Sequence, residues 1–100
     1  MDKAIKQKWI KALRSGRYKQ TTEYLYIGGG YCCLGVLARV QGAKLSELDG
    51  LSLLEDSLKK YAAGIRHKSQ KTLAEKNDGT GSDMNSKTFK EIADYIEKRY

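Results

Sequence analysis

Two adjacent cysteines, Cys32 and Cys33, a single histidine, His67, and two amides, Gln20 and Asn77, are the side chains of this 100-residue sequence whose types and order allow covalent chemistry. Cys32 and Cys33 open the apolar run Tyr31-Cys32-Cys33-Leu34-Gly35-Val36-Leu37, directly after Gly28-Gly29-Gly30. A thiol in the first turn of a helix is stabilised as its thiolate by the helix dipole, which is how many catalytic cysteines are activated. The competing reading is packing, because cysteine is among the most buried residue types and two small side chains fit beneath a turn. A disulfide between neighbours is strained, so reduced thiols in a reducing cytosol are the simpler expectation.

The order glutamine, cysteine, histidine, asparagine is similar to that of papain-like thiol enzymes. The similarity is one of order alone, without a matching local motif and in a far shorter chain. His67 stands between Arg66 and Lys68 and reads as an exposed basic residue. No metal or other cofactor is expected, since two neighbouring cysteines and one distant histidine supply neither a Cys-x-x-Cys knuckle nor four ligands. The triple glycine lacks the Gly-Lys-Ser/Thr of a phosphate loop and reads as a hairpin turn.

Charge singles out a second region. Of a net +7, residues 1–20 carry seven basic side chains against Asp2 alone, which leaves +6 there. Such asymmetry marks a polyanion-binding face or an acidic protein partner, unless it is only a solvated helix surface. The candidate partner-binding residues are Lys3, Lys11, Arg14, Arg17, Tyr18, Lys19, Gln20, Tyr24 and Tyr26. Tyrosine and arginine are residues of protein–protein hot spots. Bases also stack on aromatic faces while cations neutralise phosphates, so a nucleic acid is the alternative ligand. Tyrosines that merely pack against helices are the third reading.

The elements that position these residues follow from caps and periodicity. Asp2 caps a first helix that ends near Ser15 with Gly16 as its stop. Ile5, Trp9 and Leu13 form its buried stripe, flanked by Ala12, while Lys3, Lys11 and Arg14 project oppositely. Ile10 is either a further packing contact or an exposed anchor. Thr22 to Ile27 alternates as a strand, the glycines turn it, and Tyr31-Cys32 begins the return. Cys33 to Val40 is helical, with Gly42 as its end and Gly35 marking a close crossing.

Ser52 with Glu55 has capping-box spacing and predicts a helix through Leu54, Leu58 and Tyr61 to Gly64. Arg66-His67-Lys68 is then a basic loop, and Ser69 caps a helix closed by Asn77-Asp78-Gly79. Gly79 to Ser86 is polar, glycine-containing and expected to be mobile. Thr88 with Glu91 caps a closing amphipathic helix through Phe89, Ile92, Ala93 and Ile96. The fold class is therefore α+β: one small domain over residues 1–100, mostly helical with four to five helices, and one short two-stranded antiparallel hairpin near residues 22–32. No apolar run approaches the ~18 residues of a membrane span, and Met1-Asp2-Lys3 lacks a secretory core, so a cytoplasmic protein is expected.

Over nearly its whole length the sequence resembles a family of small uncharacterised proteins of bacteriophages and prophages. The pieces that carry the resemblance are Trp9, Ala12-Leu13-Arg14-Ser15-Gly16, Tyr18-Lys19-Gln20, Tyr31-Cys32-Cys33-Leu34-Gly35-Val36-Leu37 and Tyr61-Ala62-Ala63-Gly64-Ile65. Leu73-Ala74-Glu75-Lys76-Asn77-Asp78 and Phe89-Lys90-Glu91-Ile92-Ala93-Asp94-Tyr95-Ile96-Glu97 complete them. The chain departs from that pattern at Arg39, where a cysteine and an acidic residue are usual after Ala38, and in a longer stretch between Asp78 and Phe89. The resemblance implies an accessory protein that acts inside the host cell by binding and blocking a host complex, often a defence system, and it brings no reaction with it. Three functions are thus open: a non-catalytic inhibitor of a host macromolecule, a nucleic-acid-binding protein, and a thiol-dependent enzyme.

Overall fold

The computed structural model describes residues 1–79 and 87–100. Of the stretch expected to be mobile, residues 80–86 lie outside the described residues.

Helix α1 runs from Lys3 to Ser15. Its N-terminus is held by Asp2, whose Oδ1 accepts from the Ile5 amide at 3.0 Å, and Gly16 ends it in the left-handed region. Trp9, Ile10 and Leu13 are its buried residues, so Ile10 is a core contact and not an exposed anchor. Ile5 and Ala12 are half-buried at the margin of the stripe.

Three two-residue strands follow: β1 at Lys19–Gln20, β2 at Tyr26–Ile27 and β3 at Gly30–Tyr31. They form one mixed sheet in the order β1-β3-β2, with β1 parallel and β2 antiparallel to β3. The expected antiparallel hairpin near 22–32 is present as β2 and β3, and the sheet departs from the expectation in two details. A strand precedes it in sequence and joins its far edge, and residues 22–25 are not strand. Glu23 adopts φ 73°, which no strand allows, and its amide is taken by Asp78 Oδ1 at 3.0 Å. The turn itself is as expected: Gly28 and Gly29 have φ 55° and 85°, and a two-residue turn with both φ positive matches the twist of the flanking strands.

Helix α2 spans Cys33–Val40, with Cys32 as its N-cap and Gln41 as its C-cap. Gly35 lies where the helix crosses the chain at Leu25, so closely that a Cβ would overlap the Leu25 carbonyl. A short helix, α3 at Leu45–Leu48, was not signalled by periodicity.

The helix expected from Ser52 and Glu55 is a 3₁₀ helix at Asp56–Tyr61 instead. Glu55 does not reach back to Ser52, because its carboxylate meets His67 Nδ1 at 3.0 Å, and Asp56 is left-handed at φ 52°. Helix α4 runs from His67 to Asp78, so His67 and Lys68 belong to its first turn and not to a loop. Ser69 does not cap it; Arg66 is the N-cap residue and offers no capping side chain. Helix α5, Phe89–Arg99, has the expected Thr88–Glu91 box, with Thr88 Oγ1 accepting from the Glu91 amide and Glu91 Oε1 from that of Thr88.

The described residues thus carry six helical segments and a three-stranded sheet, an α+β fold that is mostly helical. Helix α1 packs on α2 and α5, and α4 packs on α2 and α5. One core joins them, with Trp9, Leu34, Leu37, Leu73, Ile92 and Ile96 among its solvent-free side chains.

Candidate functional site

The thiols, the amides and the histidine are distributed by this arrangement into two separate places. Cys32 and Cys33 are both buried and free. Burial pushes the Cys32 thiol up from 9.0 to about 11, and burial likewise holds the Cys33 thiol well above its ordinary range. The helix dipole is outweighed here by the loss of water around a thiolate. The Cys33 thiol donates to the Leu73 carbonyl at 3.6 Å.

Asn77, wholly buried at the end of α4, gathers the neighbouring polar groups. Its Oδ1 accepts from Gln20 Nε2 at 3.0 Å and from the Cys33 amide at 3.2 Å. Its Nδ2 donates to the Thr21 carbonyl at 2.8 Å and to Asp78 Oδ1 at 2.9 Å. Gln20 is equally occupied: Nε2 also donates to the Lys87 carbonyl at 2.7 Å, and Oε1 accepts from the Phe89 amide at 3.1 Å. Glutamine, cysteine and asparagine do converge, then, but as a saturated structural cluster. His67 sits ten residues before Asn77 on the same helix, about 15 Å along its axis at the usual helical rise. It lines a groove of about 700 Å³ with Glu55, Lys59 and Arg66, away from both thiols.

The basic residues divide similarly. Arg14 is committed to the seam between α1 and α5, with Nη2 at 2.7 Å from Asp94 Oδ1 and 3.3 Å from Glu97 Oε1. Those two carboxylates, Glu97 foremost, raise its pKa further. Arg14 thus bridges to α5 while remaining exposed, and Gln20 holds backbone groups at Lys87 and Phe89 together with Asn77. Lys3, Lys11, Arg17 and Lys19 are exposed, and none of their side chains meets a carboxylate among the described residues.

The tyrosines form a row set by the strand order. Tyr18 meets Tyr31 edge-on, with ring centroids 5.2 Å apart, and Tyr26 meets Tyr31 at 5.0 Å with the planes inclined by 54°. All three are half-buried against the core. Tyr24, two residues before Tyr26 but outside the strand, is half-buried and takes no part in the row.

Sequence reasoning missed two exposed aliphatic residues, Ile27 and Leu51, which are 41% and 46% accessible. Their only sequence signal was large apolar side chains next to glycines, Gly28 and Gly50. The structural role of Asn77 had no sequence signal beyond its place in the chain order.

A family model described as a domain of unknown function (DUF8296) matches residues 1–49, to which the chain is therefore similar from α1 through α3. No curated protein and no solved structure matches the chain significantly. Among the described residues, no helix is long and apolar enough to cross a membrane.

Proposed function

We propose that this chain is a phage-derived accessory protein that binds and inhibits a host macromolecule, a component of an anti-phage defence, in the cytoplasm of the bacterial host and without catalysis of its own. The observation that carries the reading is the set of exposed cations, Lys3, Lys11, Arg17 and Lys19, without carboxylate partners among the described residues and in the same half of the chain as the tyrosine row. Such a surface steers a partner electrostatically and then holds it by apolar contact. The sequence resemblance to phage and prophage proteins supports the host setting. A thiol enzyme has less support, because both thiols are buried and their neighbours Gln20 and Asn77 are spent on backbone groups.

Affinity capture from bacterial lysate, with and without nuclease, tests the reading. Recovery of a defined host protein complex in both samples is the expected result, and expression of the chain should then relieve restriction of a phage by that system. Recovery of nucleic acid alone, with an affinity that falls steeply with salt, would replace the reading with direct nucleic-acid binding. The exposed cations on their own suit either ligand.

A further inference from the structure

Going beyond the host-directed reading, we propose that the outer face of α1 binds the sugar–phosphate backbone of a nucleic-acid duplex, without regard to base sequence. Helix geometry joins its residues. Lys3, Gln7, Lys11 and Ser15 follow one another at four-residue spacing, and Ala4 and Lys8 lie on the adjoining row, so the six share one side of the helix. All six are exposed, whereas Trp9, Ile10 and Leu13 on the core side are buried. Lys3 and Lys11 stand about 12 Å apart along an axis of about 20 Å, with Lys8 between them.

Charge on this side has one sign. Residues 3–15 include no acid, and the Asp2 carboxylate before them is engaged with the Ile5 amide. Lys3, Lys8 and Lys11 meet no carboxylate among the described residues, while Arg14 on the flank takes up Asp94 and Glu97 of α5. Arg17 and Lys19, exposed beyond the stop at Gly16, extend the positive field past the end of the helix.

Cations alone suit a phosphate backbone and an acidic protein equally, so the side chains between them decide. Protein interfaces are built around aromatic or aliphatic anchors and are depleted in lysine, alanine and serine. Here lysine, alanine, glutamine and serine make up the face, and the exposed large hydrophobic residues among the described ones, Ile27 and Leu51, lie on other elements. A duplex backbone asks only for cations and hydrogen-bond donors. Three ammonium groups and the Gln7 amide supply these, and the short side chains of Ala4 and Ser15 let a strand come close. A single strand asks for more, because its bases stack on open ring faces. The one aromatic of α1, Trp9, has no solvent exposure, and Tyr18, Tyr26 and Tyr31 pack on one another and on the core.

The test is fluorescence anisotropy of labelled duplexes of about 20 base pairs, one of DNA and one of RNA, and of a matching single strand, with the full chain at several salt concentrations. The wild type is compared with Lys3→Gln, Lys8→Gln and Lys11→Gln combined. A control combines Lys68→Gln, Lys71→Gln and Lys90→Gln, which removes the same charge from exposed positions on α4 and α5. Glutamine is close to lysine in helix propensity, and circular dichroism melts establish that each variant folds. The expected result is duplex binding by the wild type, tighter than to the single strand and weakening linearly on logarithmic axes as salt rises. The α1 variant should bind about tenfold or more weakly at low salt, with a salt slope shallower by about 2–3, while the control changes little. The duplex held more tightly identifies the source of the backbone. No duplex binding by the wild type at low salt, a preference for the single strand, or an equal loss in both variants overturns the proposal. Capture from nuclease-treated lysate judges the binding reading separately: a host protein held by the α1 variant keeps that reading even where duplex binding fails. A host protein lost from that variant, with no duplex bound by the wild type, overturns the proposal and assigns α1 to an acidic protein.

Discussion

A methyl group at Gly35 has nowhere to go. It would overlap the Leu25 carbonyl, and that oxygen already accepts from the Cys32 amide at 3.2 Å. Relief would require backbone movement in a fully packed region, so Gly35→Ala should destabilise the chain by about 2 kcal/mol or more, read as a lower urea midpoint at unchanged slope. The neighbouring thiols make a second prediction. In the folded chain Cys32 titrates at about 11 against 9.0 for a free thiol, and Cys33 is displaced in the same direction. Above pH 9 the unfolded chain gives up these protons first, so stability is fully present below that pH and is lost as pH rises through the folded value. A shift of this size for Cys32 corresponds to about 2–3 kcal/mol. Unfolding followed between pH 8 and 11.5 should show the decline, and replacing both cysteines by alanine should flatten it. Rapid maleimide labelling of either folded thiol at pH 7.5 would contradict the burial on which this rests.

At the scale of elements, Asn77 is the joint. Its amide ties the end of α4 to the backbone at Thr21 and to the start of α2 at Cys33, while Gln20 links it onward to Phe89 at the start of α5. Asn77→Ala would leave the Thr21 carbonyl and the Cys33 amide unpaired in a buried place, with an expected loss of about 2–4 kcal/mol by thermal or urea unfolding. Asn77→Ser should recover part of it. The same joint explains what was legible in the sequence. Helices α1, α2 and α5 were readable because a capping residue, an apolar period or a stop glycine acts within a few residues: Asp2 and Gly16, Cys33 to Val40, Thr88 and Glu91. Strand β1 was not, because two residues show no alternation, and its pairing partner Gly30-Tyr31 lies eleven residues on. The Ser52–Glu55 box failed for a tertiary reason, the capture of Glu55 by His67. The exposed cations Lys3, Lys11, Arg17 and Lys19 were visible as charge. The exposure of Ile27 was not, since nothing local distinguishes it from a buried Ile10.

For the molecule as a whole, charge asymmetry governs encounter. Seven basic residues lie in the first 20 of the chain, and Arg14 alone among them bridges to carboxylates of α5 among the described residues. Reversing Arg14 would disturb the α1–α5 seam, so the electrostatic test belongs to Lys3 and Lys11. Lys3→Glu with Lys11→Glu should slow association with the partner several-fold or more at low salt, and the difference should shrink as salt rises; surface plasmon resonance at several ionic strengths measures both. An unchanged rate at low salt would take α1 out of the encounter surface. The chain's one tryptophan, Trp9, has no solvent exposure, and its indole Nε1 donates to the Cys33 carbonyl at 2.8 Å across the α1–α2 contact. Its fluorescence is therefore a built-in, single-site gauge of that contact: blue-shifted while α1 is seated on α2, and moving to the red once α1 lifts away. A partner that merely caps the sheet will leave the emission maximum where it is, and one that peels α1 from the core will announce itself in the spectrum.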